Sequence, residues 1–217
     1  MTTQLLSKSL NDYAESFTTK ESPALARLNR ETHLKIDLPI MLSGHLQGAV
    51  LSMLSHMIKP RRVLEIGTYT GYSAICLAQG LASDGVLHTI DVNEEIEAMA
   101  FRYFCEAGLE KKICQHVGKA ASIIPGLDEV FDLVFIDADK QGYSHYYDLI
   151  FDKVCIGGYI LADNVFYDGE VILPEEERSK NAKAIHAFNV KVKNDHRVEH
   201  VLLPIRDGIM VIRKMTT

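Results

Sequence analysis

The stretch VLEIGTYTGYS, residues 63–73, decides the fold. A strand-like run ends near Glu65, Gly67 opens a tight loop, and Gly71 leads straight into the helix-like run YSAICLAQGL at residues 72–81. A strand, a glycine-bearing turn and a helix in that order make the first half of a β-α-β unit. The same alternation continues on the C-terminal side. Residues 61–66, 86–91, 113–117, 133–137 and 159–162 read as strands, and residues 72–81, 94–107, 119–124 and 142–154 read as the helices between them. Strands as continuously apolar as LVFI, residues 133–136, are covered on both faces, which predicts a parallel sheet inside helical layers.

On the N-terminal side, Leu46, Val50, Leu51, Leu54 and Met57 follow a three-to-four residue rhythm that predicts a helix over 44–58, stopped by Lys59 and Pro60. After a polar stretch at 168–180, residues 181–193 read as helical. Strands at 198–204 and 208–213 then flank an Arg206-Asp207-Gly208 turn, short enough to predict a terminal antiparallel hairpin. With no repeat or linker, residues 1–217 read as one domain, with N-terminal helices over 1–60 and a sheet core over 61–217.

Composition narrows the function. Of 217 residues, 47% are apolar, enough for a full core, and 29 acidic against 23 basic side chains leave a net charge of −6, which disfavours a phosphate backbone as partner. The four cysteines lack CxxC spacing and sit in apolar stretches, so they read as buried thiols. The nine histidines show no zinc spacing, and His45, His56, His116 and His186 read as helix or surface residues. A polar N-terminus and the lack of any long apolar run predict a cytoplasmic protein without a membrane span. The absence of a Gly-x-Ser-x-Gly elbow and of a P-loop removes those hydrolase classes. Glu175, Glu176 and Glu177 read as a solvated face.

In an open parallel sheet ligands bind beyond the carboxyl ends of the strands, and the polar residues collect there. Gly67 and Gly71 are separated by three residues and miss the dinucleotide fingerprint, which argues against an NAD-dependent oxidoreductase. Gly67 still permits close backbone approach, and Ser73 adds a hydroxyl near a helix start, although glycine after a strand is also ordinary turn chemistry. Asp91 closes the second strand, where a carboxylate can accept both ribose hydroxyls; the alternative is a cap for the helix starting near Glu94. Asp137, Asp163 and Asn164 are hard oxygen donors at neighbouring strand ends, suited to Mg²⁺, or else turn formers. Lys140, three residues past Asp137, is a candidate base whose pKa a nearby cation and partial burial would lower, or else a solvated lysine.

Together these segments resemble the class I S-adenosylmethionine-dependent O-methyltransferases, specifically the cation-dependent family of catechol and caffeoyl-coenzyme A O-methyltransferases, in its bacterial branch. The carriers are VLEIGTYTGYS, TIDVN at 89–93, FDLVFIDADK at 131–140, ADNV at 162–165 and the C-terminal PIRDGIMVIRK. The resemblance implies a Rossmann-like α/β fold, a seven-stranded mostly parallel sheet with an antiparallel C-terminal hairpin and helices on both faces. It implies that Ser43, Gly67, Thr68 and Ser73 hold the methionine end of the donor, with Glu65 supporting the loop and Tyr69 lining the crevice. Asp91 would hold the ribose, Gly118, Lys119 and Ala120 would frame the adenine, and Asp139 would lie near the donor. Asp137, Asp163 and Asn164 would bind the divalent cation, with Lys140 as base beside Asp137. A small catechol-like acceptor, free or as a coenzyme A ester, and a homodimer are implied as partners. Ala138 matches the caffeoyl-coenzyme A branch. Phe166 and Tyr167, however, replace a common Trp, and Arg206 stands where glycine is frequent. A donor-binding regulatory module without catalysis is the non-enzymatic alternative, against which the intact Asp137, Lys140, Asp163 and Asn164 speak.

Overall fold

The computed structural model describes residues 7–217; residues 1–6, counted above with the N-terminal helices and the polar N-terminus, lie outside the described residues. Three helices come first: α1 (Lys8–Ser16), α2 (Pro23–Lys35) and α3 (Gly44–Ile58). The start of α2 follows from local chemistry, since Ser22 accepts the Leu25 N–H and Pro23 occupies the first turn, where its missing N–H costs nothing. The sheet core then alternates β1 (Arg62–Ile66), α4 (Tyr72–Ala78), β2 (Val86–Asp91), α5 (Glu97–Glu106), β3 (Ile113–Val117), α6 (Ala120–Ile123), β4 (Phe131–Ile136), α7 (Tyr143–Phe151) and β5 (Val154–Asp163). It closes with α8 (Lys180–Lys193), β6 (Val198–Leu203) and β7 (Ile209–Lys214).

The seven strands lie in the order β3-β2-β1-β4-β5-β7-β6. All neighbours from β3 to β5 are parallel, while β7 runs antiparallel to both β5 and β6 and is slotted between them. Chain order reverses between β1 and β4, so the crevice above their carboxyl ends is the expected ligand position. Alternation along the strands splits the core in two. Leu64, Ile66, Val134, Ile136 and Ile160 pack with α6, α7 and α8. Val63, Leu87, Leu133, Phe135 and Leu161 pack on the other face with α2 through α5. Fully burying such a side chain contributes about 1.5–3 kcal/mol, so both layers are needed to hold the strand ends in place.

Several expectations shift. β5 begins at Val154, five residues before the expected start, because Gly157 at φ +84° and its neighbour Gly158 are absorbed within the strand beside a register shift opposite Phe131 and Leu133. The helices expected at 94–107 and 142–154 open with 3-10 turns at Glu94–Ile96 and Lys140–Gly142, and the one at 119–124 passes into a 3-10 turn at Ile124–Gly126. The cysteines are not uniformly buried. Only Cys76 is, while Cys105 and Cys114 are exposed and Cys155 is half-buried. β3 is an edge strand, which leaves Cys114 open, and Cys105 lies on an outward side of α5. His116 is half-buried on β3, its Nε2 lying 3.0 Å from Nδ1 of His88.

Candidate active site

The loop after β1 is built on backbone proximity. Gly67 sits at φ +109°, its N–H donating to the Ile90 carbonyl at 2.9 Å, and any Cβ there would collide with the Asp137 carbonyl. Glycine is required here because this loop and the end of β4 touch. Thr68 is buried and its hydroxyl lies 2.6 Å from that of Thr89, which in turn donates to Oε2 of Glu65. Gly71, at φ +92°, lets the chain turn into α4 against the Phe104 ring, and Ser73 is buried in the first turn of that helix. Glu65 is fully buried beneath the loop, and burial raises its pKa to about 8, with Ser73 and Thr89 tempering the rise. Its Oε1 has no hydrogen bond of ordinary geometry, with the Ser73 hydroxyl close to the carboxyl.

Asp91 does not cap the following helix. Asn93 does, accepting the Glu95 N–H at 3.0 Å. Asp91 ties two loops together instead, Oδ2 accepting the Tyr69 N–H at 2.7 Å and Oδ1 the Asn93 N–H at 2.9 Å, while its own carbonyl accepts the Gly118 N–H at 2.7 Å. Gly118 takes φ +144°, Lys119 is exposed, and Ala120 is buried at the start of α6. Asp91, Tyr69 and the 118–120 turn therefore border one crevice with Gly67. On its N-terminal side Ser43 is buried at the entrance to α3, and the Tyr69 hydroxyl donates to the carbonyls of Asp37 and Leu38 at 3.2 and 3.3 Å.

Across the β1–β4 crevice the acidic strand ends surround Lys140. Its ammonium donates to Asp137 Oδ1 at 3.0 Å, to Asn164 Oδ1 at 2.8 Å and to the Tyr143 hydroxyl at 2.8 Å. Asn164 turns at φ +55°, which Asn tolerates better than most side chains. Asp163 is buried and faces elsewhere: Oδ1 accepts the Asn164 N–H at 2.8 Å and Oδ2 accepts Nε2 of Gln47 at 2.6 Å. Burial, with Asp137 nearby, raises the Asp163 pKa to about 6, against the lowering effect of Gln47. Asp139 is exposed and accepts the Tyr146 hydroxyl.

The oxygen donors suit a hard divalent cation, and the Lys140 ammonium is a stand-in positive charge between two of them. Among the described residues no three His, Cys, Asp or Glu side chains gather as a metal cluster. An ion here would depend on the Asn164 amide and on water or acceptor oxygens. The expected lowering of the Lys140 pKa is not found. Burial pulls it down, but Tyr143 and Asp137 outweigh burial and hold it above the ordinary lysine range. The expectation required a cation beside Lys140, whereas the protein groups alone surround it with negative charge and acceptors.

Three participants were not foreseen. Tyr143 is fully buried, its hydroxyl donating to the Asp163 carbonyl at 3.0 Å beneath Lys140. Gln47 lies 116 positions from its partner Asp163, and Tyr146 reaches back to Asp139. The only sequence signal for Gln47 is a polar residue in register with Leu51, Leu54 and Ile58 on the inward stripe of α3.

The O-methyltransferase family model matches residues 15–215. A caffeoyl-CoA O-methyltransferase of Stellaria longipes is 30% identical over 223 residues, covering 97% of this chain and 92% of its own. The O-methyltransferase TomG of Streptomyces achromogenes, solved in complex with SAM, superposes with a TM-score of 0.88 at 30% identity, covering 95% of this chain and 96% of TomG. The methyltransferase PaMTH1 of Podospora anserina, solved bound to SAH, gives 0.87 at 29% identity over 95% of this chain and 94% of its own.

Proposed function

The chain belongs to the O-methyltransferase family, and we propose that it moves a methyl group from S-adenosylmethionine to one hydroxyl of a small vicinal diol, free or as a coenzyme A ester, with Mg²⁺ or another divalent cation in the site. The single observation carrying the metal part is the convergence of Asp137 Oδ1 and Asn164 Oδ1 on one positive charge, at 3.0 and 2.8 Å. The SAM and SAH in the two similar structures support the donor, and the caffeoyl-CoA relative supports the diol.

When bound, the donor supplies an electrophilic methyl and the cation makes a neighbouring hydroxyl more acidic. The remaining work falls to the chain. Gly67, Thr68, Tyr69 and Ser73, with Ser43 opposite and Glu65 beneath, receive the methionine end; Asp91 accepts from the ribose; Gly118, Lys119 and Ala120 frame the adenine. Asp139 lies on the donor side; Asp137 and Asn164 would hold the cation, with Asp163, whose oxygens already accept from the Asn164 N–H and Gln47, as the third ligand of the reading. Lys140 is the base. With Asp137 and Asn164 given over to a cation, burial would favour its neutral form; its ammonium proton would pass to water, and the free amine would accept the hydroxyl proton. Holding the acceptor oxygen in line with the methyl supplies a large part of the rate, because the entropy of encounter is lost on binding rather than in the transition state.

The reading includes a homodimer acting in the cytoplasm without nucleic-acid or membrane partners. The net charge of −6 supports the absence of nucleic acid, and no helix among the described residues is long and apolar enough to cross a membrane. The test uses labelled S-adenosylmethionine with catechol, caffeate and caffeoyl-CoA, with Mg²⁺ and with excess chelator. Transfer that stops with chelator is expected. Full transfer in chelator removes the metal, and donor binding without turnover on any diol removes the acceptor class.

A further inference from the structure

Arg206 sits in the turn between β6 and β7 at φ +48°, a backbone conformation that favours glycine. A long cationic side chain at such a position needs compensating contacts, and it has them. Its Nη1 donates to the carbonyl of Leu42 at 3.0 Å, to that of Ser43, and to Oε1 of Gln47 at 3.2 Å. Gln47 is 1% exposed, and its other amide atom, Nε2, donates to Oδ2 of Asp163, which is 3% exposed.

We propose that Arg206 is a positioning residue that fixes the Asp163 carboxylate through Gln47 while pinning the chain entering α3 to the β6–β7 turn. The mechanism lies in the amide's two ends. A guanidinium can only donate, so it selects the acceptor end of Gln47 and forces the donor end toward Asp163. With the Asn164 N–H on Oδ1 and Gln47 on Oδ2, both carboxylate oxygens are aimed. Without Arg206 the carboxylate still draws the donor end of the amide, but Oε1 loses its partner and the Gln47 side chain is held at one end only. The same guanidinium bonds the backbone of Ser43, so one side chain couples the donor side of the crevice to the acidic side.

The link to a cation rests on the metal reading above; the pinning of the segment before α3 does not. Arg206→Gly is the informative variant, because glycine keeps the left-handed turn while the side chain that carries the guanidinium is removed. Gln47→Leu removes the relay. Calorimetric titration with Mn²⁺ should show affinity at least about tenfold weaker in either variant, as for other groups that orient a metal ligand. The double variant should be little worse than the single ones, since the two residues act in series. Donor KM should hold while kcat falls in Gln47→Leu, which leaves the Arg206 bonds to Leu42 and Ser43 in place, whereas in Arg206→Gly donor KM should rise as kcat falls. Unchanged Mn²⁺ affinity in Arg206→Gly, or losses that multiply in the double variant, overturns the relay.

Amide hydrogen exchange supplies a readout without any ligand. Exchange at residues 43–48 should speed up about tenfold or more in Arg206→Gly while the β1 and β4 amides keep their rates. Unchanged exchange at 43–48 overturns the pinning. A wild-type protein that takes up no Mn²⁺ sinks the metal reading, and the exchange rates then decide the role of Arg206 alone.

Discussion

Replacing Glu65 by Gln should remove the part of the pH dependence of stability that arises beneath the glycine loop. In the folded ligand-free protein the Glu65 pKa is raised from 4.5 to about 8, because the carboxyl is fully buried. The folded state therefore holds a proton that the unfolded state releases between these values, and stability must fall as pH rises through that window. The interval is about 3.5 pH units. At ~1.36 kcal/mol per unit the ceiling is ~5 kcal/mol. Water entering the loop reduces this, so we expect about 2 kcal/mol or more between pH 5 and pH 9. Glu65→Gln retains an oxygen for Thr89 but places an amide where Oε1 already lacks a partner, at a cost of about 1–3 kcal/mol. The variant should thus be less stable than wild type near pH 5 and gain on it as pH rises toward 9. Urea denaturation at closely spaced pH values measures the difference. Parallel curves over pH 5–9 would refute the claim that Glu65 is buried as a proton-holding group.

Gly67→Ala should weaken donor binding by at least about tenfold in calorimetry, because φ +109° and the Asp137 carbonyl leave no room for a Cβ; wild-type affinity would show that the loop relaxes without harm. Lys140→Met should lower kcat by about 10²–10⁴ while donor affinity stays within about twofold, and an unchanged pH–rate profile would remove Lys140 as base. Phe188→Ala, in the core behind Tyr143, should cost about 3–5 kcal/mol in chemical denaturation, since its buried ring meets Tyr143 at 5.5 Å and Tyr147 at 6.0 Å.

Much of the scaffold could be read from periodicity. The strands at Val86–Asp91 and Ile113–Val117 and the helix at Gly44–Ile58 match their sequence spans because apolar spacing and flanking breakers agree there. The strand expected at 159–162 starts earlier, at Val154, because the chain passes Gly157 and Gly158 within a register shift between the Val154 and Tyr159 pairings. Tertiary pairing overrides local preference at such points. The places of the glycine loop and of the acidic residues at the strand ends were legible because each follows a strand, but the turn of Asp163 toward Gln47 was not. Gln47 and Tyr143 were not, since their partners are set by helix packing across the sheet rather than by chain proximity. The direction of the Lys140 shift failed for a related reason: it depends on the sum of its neighbours, which no single motif contains.

The strand order has a consequence during synthesis. Tyr159 through Asp163 pair with Arg213 through Ile209, residues made some fifty positions later, as the register shows. Until a ribosome has passed β7, the nascent chain carries β5 with one bare edge, and that edge ends at Asp163. A bare edge beside an apolar strand invites pairing with other chains. Stalled or clipped products lacking β7 should therefore be clients of chaperones and prone to clumping, and they should be inert even though the glycine loop and Asp137 were made long before.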